Sequence, residues 1–239
     1  MQRLEGKTAL ITGGTKGIGY GIAQALLKEG VKVAITGRDV NSTQQVAEGL
    51  QRETNGTVLG IAADVRNLKS QEQATHKVLN SFGHLDIVIA NAGLGHFETV
   101  EDLTEEQWNE TIETNLTGPF FTLKATVDQL KKNKGYFISI SSLAGTNFFS
   151  GGAAYNASKF GLTGFSQAAM LDLRKYDVKV STIMPGSVAT HFNGNEPDAS
   201  DSWKIQIEDI GKLVVDLLTM HPRTLPSKIE VRPTKPSGN

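Results

Sequence analysis

Short runs of β-branched and aliphatic residues recur along this chain, separated by longer stretches in which apolar positions return every three or four residues. The runs 7–12 (KTALIT), 31–36, 57–63, 85–93, 135–141, 178–184 and 227–233 predict seven strands. Amphipathic segments near 17–29, 41–54, 67–82, 104–132, 153–176 and 206–220 predict the helices between them. Strands such as IVIA are apolar at every position rather than at alternate ones, as in a sheet covered on both faces. The pattern predicts an α/β fold, a doubly wound parallel sheet of seven strands with helices on both faces.

Local signals agree with these boundaries. TEEQ at 104–107 reads as a capping box, with Thr104 as cap and Gln107 reaching back, and NSTQ at 41–44 is a weaker version. No internal repeat or linker interrupts the pattern, so residues 1–239 read as one domain. The polar, turn-rich stretch HFNGNEPDASDS at 191–202 is longer than an ordinary connection and follows a strand end. It marks a substrate loop or lid over about 187–206.

The first strand runs into LITGGTKGIGYG, residues 10–21. A glycine-rich turn from strand to helix points backbone N–H groups and the positive end of the helix dipole at one spot, where phosphate can approach unobstructed. Gly13, Gly14, Gly17 and Gly19 serve that purpose, spaced G-x-x-x-G-x-G when counted from Gly13. Asp64 with Val65, after the third strand, and Asn91-Ala92-Gly93, at the end of the fourth, fall at the same edge of an open parallel sheet. The fold is therefore of the Rossmann type.

Composition changes the picture mainly by exclusion. The formal net charge is −1 with acids and bases interspersed, which argues against nucleic acid and anionic membrane surfaces and for a small-molecule partner. The absence of cysteine removes disulfides, thiol nucleophiles and cysteine zinc sites, and the five histidines show no ligand spacing, so no metal is expected. The opening residues enter a strand without an apolar leader, and no run approaches a membrane span, which predicts a cytoplasmic protein.

Tyr155 and Lys159 stand four positions apart on a predicted helix and share one face, and Ser142 closes the fifth strand. Together with the glycine turn these residues resemble the short-chain dehydrogenase/reductase family in its single-domain branch. The matching pieces, in order, are TGGTKGIG (12–19), DV (64–65), NAG (91–93), Asn115 in ETNLTG, SISS ending at Ser142, YNASK (155–159) and PGSVAT (185–190). The resemblance implies an oxidoreductase that moves hydride between a nicotinamide cofactor and a carbonyl or secondary alcohol. It further implies Tyr155 as proton donor or acceptor, Ser142 orienting the substrate oxygen, Lys159 on the nicotinamide ribose, and Asn115 holding a relay water. Gly13, Thr15, Lys16, Gly17, Gly19, Asp64, Val65, Asn91, Ala92 and Gly93 become cofactor contacts by the same resemblance. So do Ile18, Pro185, Gly186, Val188 and Thr190 around the nicotinamide. Members usually form tetramers through their long helices, and Gly161, Gly164 and Ala168 here allow close packing in a tetramer or dimer.

The motif set is nearest in character to 3-oxoacyl-carrier-protein reductases, with two departures. Ala90 stands where many relatives carry asparagine, and KIEVRPTKP lacks the Asp-Gly-Gly ending of relatives that reduce acyl thioesters. For the cofactor, the second strand is read as ending at Thr36, which puts Gly37 opposite the adenosine ribose and turns Asp39 toward the next helix. No carboxylate then repels a 2′-phosphate, and Arg38 and Lys16 are placed to neutralise one, so NADP(H) is expected over NAD(H). Substrate contacts are expected from Leu94, His96, Ser142, Ala144, Thr146, Phe148, His191 and Phe192, a mixed and largely apolar set. A cofactor-binding scaffold or redox sensor is the alternative; intact Ser142, Tyr155 and Lys159 speak against it. Sugar-nucleotide epimerases and dehydratases use a different glycine spacing and a longer substrate domain.

Overall fold

A computed structural model describes residues 3–235. Seven strands, β1 (Thr8–Thr12), β2 (Lys32–Gly37), β3 (Val58–Ala62), β4 (Ile87–Ala90), β5 (Tyr136–Ile140), β6 (Lys179–Pro185) and β7 (Lys228–Val231), form one sheet in the order 3-2-1-4-5-6-7. Every pairing is parallel. The α/β, doubly wound Rossmann-type fold read from the pattern is the observed one.

Crossover helices join the strands: α1 (Gly17–Lys28), α2 (Val40–Thr54), α3 (Leu68–Phe82), α4 (Glu105–Ile112) and α5 (Gly118–Asn133), then α6 (Ala153–Leu173) and α7 (Ile207–Thr219). Successive strand residues feed opposite cores. Ile11, Ile87, Ile89 and Ile138 pack with Ile22 and Leu26 of α1 and Val214 of α7, while Leu10, Val88 and Phe137 pack with Val78 of α3 and Leu123 of α5. The period of two along each strand thus explains why both faces must be apolar. Among the described residues no helix is long and apolar enough to cross a membrane.

The order reverses between β1 and β4: from β1 the chain winds toward β2 and β3, then returns to β4 on the other side. At such a switch point the connections leave the strand ends in opposite directions and open a crevice. Most of the residues singled out in the sequence gather there.

One long helix is expected over 104–132, and the chain is helical without interruption from Glu105 to Asn133, with a π turn inside that span. The Thr104–Gln107 capping box starts α4 as read, but Glu113–Thr117 is a π turn before α5 begins at Gly118. Asn115, at its centre, is fully buried and is drawn out of helical register by hydrogen bonds to another loop. A π turn of this kind spends one helical hydrogen bond to aim a side chain sideways.

The segment after β6 is tied at both ends. Ala189 N–H donates to Ile205 O at 2.9 Å and Ile205 N–H to Ser187 O at 3.1 Å, so the loop leaves and rejoins the body at one point. Between these ties lie two short 3₁₀ turns, Phe192–Gly194 and Ala199–Trp203, with mostly exposed residues.

Candidate active site

The glycine turn is stitched to the end of β4. Asn91 donates through Nδ2 to Thr12 O at 2.9 Å and Gly13 O at 3.0 Å, and the Asn91 and Ala92 N–H groups both donate to Thr12 Oγ1. Gly19 lets this contact close: a Cβ there would lie 2.5 Å from both Asn91 Nδ2 and Gly13 O. Lys16, in the cap position of α1, is extended and its side chain makes no capping bond. The first-turn N–H groups of α1 are thus left for an anion, with the helix dipole behind them.

From this turn a cleft of about 480 Å³ runs along the carboxyl ends of β1, β2, β4, β5 and β6. One end is cationic. β2 extends one residue further than expected, to Gly37, and Asp39 is committed to capping α2, its Oδ1 accepting from Ser42 N–H at 2.7 Å. Arg38 follows Gly37 with its side chain 69% exposed; it reaches Glu110 at 4.0 Å and lies near enough to Asp64 to help lower that carboxyl. Arg66 lies nearby, gripped by Asp64 through Nε and Nη2, the latter at 2.8 Å. That fork holds the Asp64 carboxyl below the usual carboxylate range. Thr36, which also lines the cleft, carries the one buried side-chain polar atom without a partner among the described residues, its Oγ1.

The other end carries Ser142, Tyr155 and Lys159. Ser142 follows β5 in extended conformation, Tyr155 sits in the first turn of α6, and Lys159 lies one turn further on the same face. All three line the cleft. Lys159 is buried, donates from Nζ to Ile140 O at 3.0 Å, and lies 5.6 Å from the centre of the Tyr155 ring. Burial pushes the Tyr155 phenol up to about 12, with the Ser142 hydroxyl pulling the other way, and burial pushes Lys159 down to about 8. In the free protein Tyr155 therefore holds its proton at neutral pH, and Lys159 is an ammonium that is easily discharged.

Asn115 stands behind this end rather than in it. Its Oδ1 accepts from Leu94 N–H at 2.9 Å, and its Nδ2 donates to Leu94 O at 2.7 Å and Ser158 Oγ at 3.0 Å. Both amide protons are used, so only acceptor positions are left for a water. A Cβ on Gly93 would lie 3.3 Å from Asn115 Oδ1 and 3.6 Å from Lys159 Nζ, which places Gly93 between them.

Most of the residues singled out in the sequence converge. Gly13, Thr15, Lys16, Gly17, Ile18, Arg38, Asp64, Val65, Asn91, Ala92 and Gly93 line the cleft. So do Pro185, Gly186, Val188, Thr190, and on the substrate side Leu94, His191 and Phe192. Gly19 shapes the turn from behind.

Four expected substrate contacts are not brought to the cleft. His96 is drawn to α4, its Nε2 2.9 Å from Glu110 Oε2. Ala144 is buried within the short turn after Ser142, and Thr146 Oγ1 donates back into that turn, to Leu143 O. Phe148 is 82% exposed and stacks on Phe160 of α6 at 5.0 Å. The sequence reading missed Thr36, Arg66, Ser141, Ser187, Asn195 and Lys204, which line the cleft. Arg66 and Ser141 adjoin recognised motifs, a signal that adjacency supplied; Asn195 and Lys204 arrive only through the fold of the loop after β6.

A switch-point crevice with a glycine turn at one end and Ser142, Tyr155 and Lys159 at the other defines a nucleotide-binding oxidoreductase of the Rossmann class. Residues 7–201 match the profile of the family described as short chain dehydrogenase, and the chain belongs to that family. It is 36% identical over 220 residues to a trans-4-hydroxycyclohexanecarboxylate dehydrogenase of Sinomonas cyclohexanicum, covering 87% of this chain and 85% of that one. It is 35% identical over 223 residues to an NADP-dependent (R)-specific alcohol dehydrogenase of Lentilactobacillus kefiri, covering 88% and 86%. Among solved structures, an alcohol dehydrogenase of Thermococcus sibiricus, complexed with 5-hydroxy-NADP, superposes with a TM-score of 0.91 at 32% identity, over 98% of this chain and 99% of that one.

Proposed function

We propose that this oxidoreductase interconverts ketones and secondary alcohols with NADP(H) in preference to NAD(H), with Ser142, Tyr155 and Lys159 as its catalytic residues and Asn115 as a positioning residue. The observation that carries the reading is the polarity of one continuous cleft. The uncapped N-terminus of α1 with Lys16, Arg38 and Arg66 lies toward one end, and a buried Tyr–Lys pair beside Ser142 lies at the other. These residues fit a nicotinamide dinucleotide: the α1 N–H groups suit its pyrophosphate, and the orphaned Thr36 hydroxyl offers its adenosine half a buried partner.

When bound, the nicotinamide supplies hydride to a ketone or removes it from an alcohol. Everything else falls to the chain. As the carbonyl oxygen gains charge in reduction, Tyr155 delivers its phenolic proton and Ser142 donates a hydrogen bond. In oxidation Tyr155 must lose that proton first, and a charged Lys159 favours the phenolate. Asn115 keeps Leu94 and Gly93 in place beneath the reacting groups.

Asp39 is spent as a helix cap and Arg38 is exposed, which supports the phosphate-bearing cofactor, as does the NADP-dependent relative at 35% identity. The loop over 187–206 is read as the lid of a single domain. The outer face of α5 and α6, with Phe120, Phe160 and Leu171 exposed and open space at Gly164, is read as a homo-oligomer contact in a cytoplasmic enzyme. Light scattering in solution tests that contact.

The function is tested by following reduced-nicotinamide absorbance with acetoacetyl thioesters, diketones and aromatic ketones, using NADPH and NADH in parallel. Oxidation that favours NADPH is expected. Tight cofactor binding with no turnover of any carbonyl would instead support the scaffold reading.

A further inference from the structure

Around Tyr155 the structure assembles aromatic rings from three separate loops. Phe97, in the segment after β4, meets the Tyr155 ring edge-on at 5.3 Å and 70°. Phe192, at the start of the loop after β6, lies 5.8 Å from Tyr155 at 56°. Phe149, between β5 and α6, leans on Phe97 at 5.8 Å and 57°. Phe97 and Phe192 are themselves 6.3 Å apart at 59°.

We propose that this aromatic wall is a ring-binding subsite, and that the enzyme takes ketones and secondary alcohols whose reacting carbon bears an aromatic ring. The inference rests on the ketone-reductase reading and deepens it. Phe192 and Tyr155 line the cleft, and Phe97, 37% exposed, and Phe149, 46% exposed, stand at its margin, so apolar surface is held open to solvent beside the catalytic phenol. Binding an apolar group there removes that surface from water.

Why a ring rather than an acyl chain follows from the angles. Rings inclined at 56° to 70° present an edge beside a face, and an incoming ring finds quadrupole-matched partners at both. A linear chain gains only buried area and loses rotamer freedom at each bond. Lys204, in the loop after β6, is held by Asp201 at 2.6 Å and so is not left free to select an acidic substrate.

The test compares acetophenone with 2-octanone, which have the same number of carbons, under saturating NADPH, and then repeats both with Phe97→Ala, Phe149→Ala and Phe148→Ala. The wild-type protein is expected to favour acetophenone in kcat/KM. Phe97→Ala and Phe149→Ala each lower the acetophenone to 2-octanone ratio about tenfold, chiefly through KM for acetophenone, while Phe148→Ala moves it less than twofold. Equal handling of the two ketones, or a ratio that the Phe97 and Phe149 variants leave alone, overturns the subsite. Turnover of thioesters or diketones with acetophenone refused overturns it while leaving the ketone-reductase reading standing. No turnover of any carbonyl overturns both.

Discussion

Asn115 grips both backbone groups of Leu94, accepting from its N–H at 2.9 Å and donating to its carbonyl at 2.7 Å. The pair joins the π turn between α4 and α5 to the loop after β4, 21 residues apart in sequence. Asn115→Ala leaves the Leu94 polar groups without these partners, at about 1–3 kcal/mol for an unsatisfied buried group. At ~2–4 °C per kcal/mol for a chain of this size, the unfolding midpoint drops by about 5 °C. A second readout separates positioning from stability alone: kcat for ketone reduction falls at a temperature where the variant is still fully folded. An unchanged midpoint in differential scanning calorimetry would show that the latch contributes nothing.

Replacing Tyr155 with phenylalanine keeps the ring and its contacts with Phe97 and Phe192 but removes the only proton the acid can give. Reduction slows by about 10²–10⁴-fold, the usual contribution of a positioned general acid. NADPH affinity, followed by fluorescence titration, changes little. Activity near that of the wild-type protein would remove Tyr155 from the reaction.

The buried Lys159 predicts how the free protein's stability varies with pH. An unperturbed lysine titrates at 10.5 and Lys159 at about 8, so between these values the unfolded chain holds a proton that the folded one has released. Stability contributed by this residue therefore rises with pH through that window, and the burial penalty is full below it. Tyr155 has the opposite sign, since its folded value of about 12 exceeds the ordinary 10.0 and its effect begins above pH 10. Urea midpoints measured from pH 8 to 10 should climb more steeply for the wild-type protein than for Lys159→Met. Parallel curves would mean that Lys159 carries no such penalty.

Arg38 and Lys16 are expected to separate the two nicotinamides. Arg38→Ala and Lys16→Ala raise KM for NADPH by about tenfold, the scale of one lost charge-assisted contact, and leave KM for NADH nearly unchanged. Added salt weakens NADPH binding more than NADH binding, because the exposed Arg38 is screened. If both cofactors weaken alike, the two cations serve the shared pyrophosphate and the preference arises elsewhere.

The elements were legible because local patterns are strong here. Apolar runs such as TALIT and IVIA became β1 and β4, and the Thr104–Gln107 box opened α4 where its hydrogen bonds require. The helix expected across 104–132 formed but widens into a π turn around Asn115, whose contacts to Leu94 a local pattern does not reveal. Ser142, Tyr155 and Lys159 were recognisable through the resemblance of the whole motif set to a known family, whereas His96 and Phe148 were assigned by position alone. His96 turned to Glu110 and Phe148 to Phe160, partners that spacing does not reveal.

The winding of the sheet, the glycine turn and the placing of the serine and tyrosine–lysine motifs after β5 were legible along the chain, since these follow from periodicity and short-range geometry. It took the tertiary fold to bring Arg66 beside Arg38 at Glu110, and to set Phe97 and Phe192 against Tyr155 with Phe149 leaning on Phe97. Those facts depend on loops distant in the chain arriving at one place, where the choice among side-chain partners is made by packing and charge rather than by neighbours in sequence.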